Sequence, residues 1–217
     1  MITAEEARTL FDGSPVRDCA TDMARVCREA WRQYLVSGCN SNASCRLPAP
    51  YEALLCVTAS GSAKGRLSHD DCCLVEAGSG QCLAGRAPST ELGLHLGLYA
   101  ALPGCRAVLH SHPRHLLALS LVLEKNEDFL RLPLFEAATW RARLAFAPAL
   151  PPGGQALAEA VTQAALGLPG SRDAGAVWMA GHGLCCWGAS LDAALTMSEE
   201  LEHLAAVQLL ALPRMAG

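Results

Sequence analysis

Glycine, proline and small polar clusters cut this chain into short apolar runs and longer amphipathic ones, and the two kinds never settle into regular strand–helix alternation. Leu54 to Thr58, Cys72 to Glu76, Arg106 to His112, Ala176 to Ala180 and Leu184 to Gly188 each read as a short strand. Leu130 to Leu134 and Leu144 to Phe146 are two further candidates. Helical spacing covers Asp18 to Ser37, Gln155 to Leu166 and Ser190 to about Leu210, and Pro88-Ser89 and Pro113 each open another helix. CNSNASCR, residues 39–46, reads as a polar turn. This mixture favours an α/β or α+β layered domain with a mainly antiparallel or mixed sheet flanked by helices. With 217 residues and no repeat or linker, residues 1–217 are expected to form a single domain.

Composition excludes several classes of function. Apolar residues make up 51% and charged ones 18%, which argues for a packed core rather than disorder. A net charge of −4 without a basic cluster leaves nucleic acid and anionic membranes as poor partners. The most apolar uncharged run, Leu116 to Leu123, broken only by Ser120, is far short of the roughly 18 residues a membrane span needs. MITAEEARTLFDG lacks the basic and apolar regions of a signal peptide, so a cytosolic (cytoplasmic) location is expected. The eleven cysteines include no C-x-x-C and sit in no secretory context, so most are expected to be small buried apolar residues. The vicinal pairs Cys72-Cys73 and Cys185-Cys186 lie in strand-like runs, where neighbours point to opposite faces and do not bridge.

The chemistry gathers around three histidines. His110 and His112 share one face of a predicted strand, about 7 Å apart along the chain. Alone, the pair equally fits two half-buried strand histidines. His182 lies between glycines, where backbone can turn sharply and approach a ligand. Three imidazoles with one open position make a catalytic zinc site, whereas a structural site is closed by four protein ligands. Glu91, in the first turn of its helix, is either a helix-dipole residue with His95 as its surface partner, or a fourth ligand and base. Small polar turns at Asn42 and Ser44, at Ser60, Gly61 and Lys64, and at Ser89 and Thr90 suggest a phosphate cradle.

PSTELGLHLGLYAALPGCRAVLHSHP, residues 88–113, resembles the P-S-x-E…H-x-H segment of the class II aldolase/adducin family, which includes fuculose-phosphate aldolase and ribulose-phosphate epimerase. SNASCR, VTASG, AGHGLCCWG and the helix containing EELEHLAAVQLLAL match its other landmarks in order, over roughly residues 20 to 212. The resemblance implies a three-layer α/β fold with a nine-stranded, mainly antiparallel sheet, and a homotetramer with sites at subunit interfaces. It implies a zinc-dependent aldehyde-lyase that cleaves a phosphorylated ketose through a metal-stabilised enediolate. Carried over by position, the Zn2+ ligands fall on His110, His112 and His182, the acid/base on Glu91, and the phosphate contacts on Asn42, Ser60, Gly61, Ser89 and Thr90.

Two departures matter. Ser41 stands where the family usually has glycine, and no tyrosine follows Tyr99 to serve as the proton donor of the sugar-phosphate aldolases. TASGSAKGRL and GHGLCCWG look closer to the methylthioribulose-1-phosphate dehydratase branch, a hydro-lyase. In that branch a glutamate downstream of H-x-H is the acid/base, and Glu136 falls near that place, where the alternative is a solvated loop glutamate. Desolvation between Phe135 and Ala137 would raise its pKa. The adducin branch, a metal-free assembly module, is opposed by the presence of all three histidines and Glu91. The spacing of His182 and Cys185 leaves a zinc–thiolate site as a last alternative.

Overall fold

The computed structural model describes residues 2–169 and 172–215. Two helices lead the chain, α1 (Ala4–Asp12) and α2 (Ser14–Arg32). α1 starts on a capping box in which Thr3 and Glu6 satisfy each other's backbone N–H groups. α2 buries Val16, Ala20, Met23, Cys27 and Ala30 at helical spacing, each full aliphatic burial contributing about 1.5–3 kcal/mol.

The strands are β1 (Asn42–Arg46), β2 (Leu54–Thr58), β3 (Cys72–Glu76), β4 (Cys82–Gly85), β5 (Ala107–Ser111), β6 (Leu144–Ala147), β7 (Gly175–Met179) and β8 (Gly183–Gly188). They form one sheet in the order β4-β3-β2-β1-β5-β8-β7-β6. All neighbours are antiparallel except β6 and β7, which are parallel. The remaining helices are α3 (Leu92–Ala101), α4 (Arg114–Val122), α5 (Phe135–Arg141), α6 (Gln155–Leu166) and α7 (Leu191–Met215).

Two apolar clusters, one on each face of the sheet, make the fold three-layered. Val108, Cys185, Val57 and Cys73 pack with α3 and α6. Leu109, Cys186, Cys56 and Cys72 pack with α2, α4 and α7 on the opposite face. Each vicinal cysteine pair is thus split between the two faces, and all eleven cysteines are free thiols, eight of them buried. Among the described residues no helix is long and apolar enough to cross a membrane.

Several expectations need correction. Among the described residues the sheet has eight strands, not nine. The polar stretch read as a turn contains β1, a buried strand whose small polar side chains alternate with Ala43 and Cys45. Leu130 to Leu134 is not a strand, because Leu130 adopts φ 64 and its N–H bonds to Gln208 Oε1. The third helix begins at Leu92 rather than at Pro88, and β4 and α1 had no counterpart in the sequence reading. Glu136 lies on α5 instead of in a loop.

Candidate active site

His110 sits on β5 and His112 immediately follows it, while His182 occupies the turn between β7 and β8, where Gly181 adopts φ +65. One ligand atom from each of the three lies within 4.8 Å of the others. The turn closes this tightly only because residue 183 lacks a side chain. A Cβ on Gly183 would lie 2.4 Å from Ser111 O, 2.6 Å from His112 Cδ2 and 3.3 Å from His110 Cε1. From the far layer, Ser198 on α7 bonds Ser111 Oγ at 2.8 Å, and Glu202 caps the first N–H groups of α4 just after His112.

Glu91 ends the loop before α3 and points into the same cluster. Its Oε2 lies 3.2 Å from His110 Nε2 and its Oε1 3.1 Å from His182 Nε2. His110 donates its Nδ1–H to Leu184 O at 3.0 Å, so in the neutral ring Nε2 carries a lone pair aimed at Glu91. Two acceptors facing each other at that distance attract only with a proton or cation between them. Glu91 Oε1, His110 Nε2 and His182 Nδ1 are all buried without a hydrogen-bond partner. Three imidazoles and a carboxylate with uncommitted buried atoms therefore fit a divalent cation.

The charges follow from this packing. Burial alone would push the Glu91 carboxyl up, but the imidazoles of His110 and His182 outweigh it and hold it well below the usual carboxylate range. Burial, followed by the nearby His110 and His182, pushes His112 down to about 3, so it stays neutral and able to bind metal.

The site opens onto a cavity of about 570 Å³, whose wall does not include the fully buried His110. His112, His182 and Glu91 line one side, and Asn42, Ser60, Gly61, Lys64, Ser89 and Thr90 complete the wall, so every residue expected to hold phosphate reaches one space. Lys64 is buried, and its Nζ donates to Ser62 O at 2.7 Å and Ser62 Oγ at 3.3 Å, both uncharged acceptors. Burial lowers its pKa, and an anion in the cavity would stabilise its charged form. A larger groove of about 1100 Å³ beside α1 is lined by Glu5, Glu6 and Glu76 and contains none of the histidines.

Other expected residues stand elsewhere. Glu136 is exposed in the first turn of α5, outside this cavity, and Phe135 beside it is 98% exposed, so the anticipated desolvation is absent. Cys185 stands directly opposite His110 on β8, where it is fully buried and lies outside the group formed by the ligand atoms of His110, His112 and His182. His95, expected as a surface partner of Glu91, is fully buried, and with Ser44 and Tyr99 it forms a polar group beneath the site that the sequence did not reveal.

A model of the Class II Aldolase and Adducin N-terminal domain family matches residues 21–209. The chain is 33% identical over 172 residues to the methylthioribulose-1-phosphate dehydratase of Methylococcus capsulatus, covering 78% of this chain and 82% of that one. It is 28% identical over 184 residues to the L-fuculose phosphate aldolase of Methanococcus vannielii, covering 85% and 92%. The solved L-fuculose-1-phosphate aldolase of Thermus thermophilus aligns with a TM-score of 0.75 at 25% identity, covering 92% of this chain and 97% of that one.

Proposed function

This chain belongs to the Class II Aldolase and Adducin N-terminal domain family, and we propose that it is a cytosolic, zinc-dependent lyase acting on a phosphorylated ketose. One observation carries the proposal: three clustered imidazoles, of which His112 and His182 reach the cavity and His110 is buried, stand with a carboxylate bearing an uncommitted oxygen beside a ring of phosphate-sized donors that lines the same cavity. A cation held by His110, His112 and His182 supplies Lewis-acid stabilisation of negative charge on the substrate's carbonyl and hydroxyl oxygens. Lys64, Ser60, Gly61, Ser89 and Thr90 hold the phosphate, and Asn42 lines the same wall.

Glu91 is the base. In aldol cleavage it takes the proton of the hydroxyl beside the carbon–carbon bond that breaks. That bond's electron pair passes to the fragment bearing the carbonyl, and a proton then returns to that fragment's carbon. Assembly into a tetramer belongs to the same proposal, and the exposed Leu121, Phe135 and Leu210 are apolar surface that assembly would cover.

A second reading, dehydration, is favoured by the similarity to methylthioribulose-1-phosphate dehydratase and by the absence of any tyrosine after Tyr99. Here Glu91 removes a proton from the carbon beside the carbonyl and returns it to the hydroxide leaving the next carbon, which departs as water. The test is incubation of the zinc-loaded protein with fuculose 1-phosphate, ribulose 1-phosphate and methylthioribulose 1-phosphate. Dihydroxyacetone phosphate in a coupled assay identifies the aldolase, and a diketone absorbance identifies the dehydratase. Turnover of none of them would leave an assembly module of the adducin kind and overturn the proposal.

A further inference from the structure

Below Glu91 a row of buried hydrogen bonds runs from the cavity wall into the core. Asn42 Nδ2 donates to Glu91 Oε2 at 2.9 Å, and Asn42 Oδ1 lies 2.5 Å from His95 Nε2. His95 Nδ1 lies 2.6 Å from Ser44 Oγ, which lies 2.9 Å from Tyr99 Oη. His95 and Ser44 have no exposure, and Asn42 and Tyr99 are 3% and 5% exposed. Asn42 and Ser44 alternate on β1, while His95 and Tyr99 are one turn apart on α3, so strand and helix periodicity align the four groups.

Donor and acceptor chemistry gives the row one direction. A carboxylate only accepts, so the Asn42 amide turns its NH₂ to Glu91 and its carbonyl to His95. His95 must then carry its hydrogen on Nε2, leaving Nδ1 to accept from the Ser44 hydroxyl, whose oxygen accepts in turn from Tyr99. Burial, and secondarily His110, pushes His95 down to about 3 and keeps that neutral ring in place. An amide cannot pass a proton from Oδ1 to Nδ2 without a costly tautomer, so the row orients Glu91 and does not conduct protons.

We propose that Asn42 and His95 are positioning residues for Glu91, holding Oε2 so that Oε1 is the oxygen left to act. This rests on the reading of Glu91 as the base, and it assigns the Asn42 side chain to the glutamate instead of to phosphate. Orientation of a base within a few tenths of an ångström is worth about tenfold or more in rate.

Two measurements on the full chain test it. Long-range 1H–15N spectra of 15N-histidine-labelled protein should show a neutral Nε2–H ring that disappears in His95→Gln and shifts in Ser44→Ala. An Nδ1–H or charged ring at His95 overturns the row whether or not any substrate is found. With whichever of the three ketose 1-phosphates turns over, His95→Leu should lower kcat about tenfold or more with KM within about twofold. His95→Gln, which keeps a donor toward Asn42 Oδ1, should recover most of that loss. Equal losses in the two variants, or full kcat in His95→Leu, would overturn the positioning role. Absence of turnover in wild type would instead count against the lyase reading while the spectra still decide the row.

Discussion

Asn42 and His110 stand directly opposite each other on neighbouring antiparallel strands, so their side chains rise from the same face of the sheet and meet at Oε2 of Glu91. The carboxylate is thereby held between an amide that only donates to it and the imidazoles of His110 and His182.

Replacing Glu91 with Gln should leave the fold intact and lower turnover by about a hundredfold or more, because the amide keeps the shape and loses the base. Steady-state kinetics beside a thermal melt checks this. Wild-type turnover with wild-type metal content would reduce Glu91 to a structural residue.

Gly183→Ala should weaken metal binding and lower the melting temperature together. The new methyl would meet backbone at 2.4 Å and the His112 ring at 2.6 Å, so β8 or the histidines must move. A chelator competition titration reads the first effect and calorimetry the second. Unchanged metal affinity would show that the turn does not set the ligand spacing.

Acid should destabilise the metal-free protein well before its carboxylates titrate. His95 and His112 are each lowered from 6.5 to about 3 in the folded chain. The unfolded chain therefore binds protons in that window when the folded chain does not. Their stability contribution is complete above pH 6.5 and falls toward pH 3, by up to about 1.4 kcal/mol per pH unit for each group. Urea titrations in chelator across this range should show that slope, and His95→Gln should remove one proton's share. A flat profile from pH 6.5 down to pH 5 would contradict the buried neutral rings.

Glu136→Gln should leave turnover within about twofold, since this residue is exposed on α5 and away from its own chain's cavity. Loss of activity with metal retained would place Glu136 at the cavity of a neighbouring subunit and strengthen the dehydratase reading.

Much of the site was legible because its residues obey local rules. His110 and His112 are two apart at the end of β5, so spacing brings these two imidazoles together, whereas His182 joins them only through the pairing of β5 with β8 and was placed by the resemblance. β1 was illegible because Asn42, Ser44 and Arg46 look like turn residues unless the partner covering their face is known. That partner is α3, some fifty residues later, and His95 and Tyr99 supply the polar atoms that make a polar strand tolerable in the interior. Glu136 misled for the opposite reason. Apolar neighbours in sequence suggested burial, but Phe135 points outward.

A metal held by the three imidazoles is what lyase chemistry in this cavity requires first. Elemental analysis of the purified full chain after zinc loading and desalting tests this most directly, with His110→Ala, His112→Ala and His182→Ala measured alongside. About one zinc per chain in wild type, lost in each variant while the fold persists by circular dichroism, is the result predicted. Full zinc retained in the His182→Ala protein, or no zinc in wild type, would contradict it.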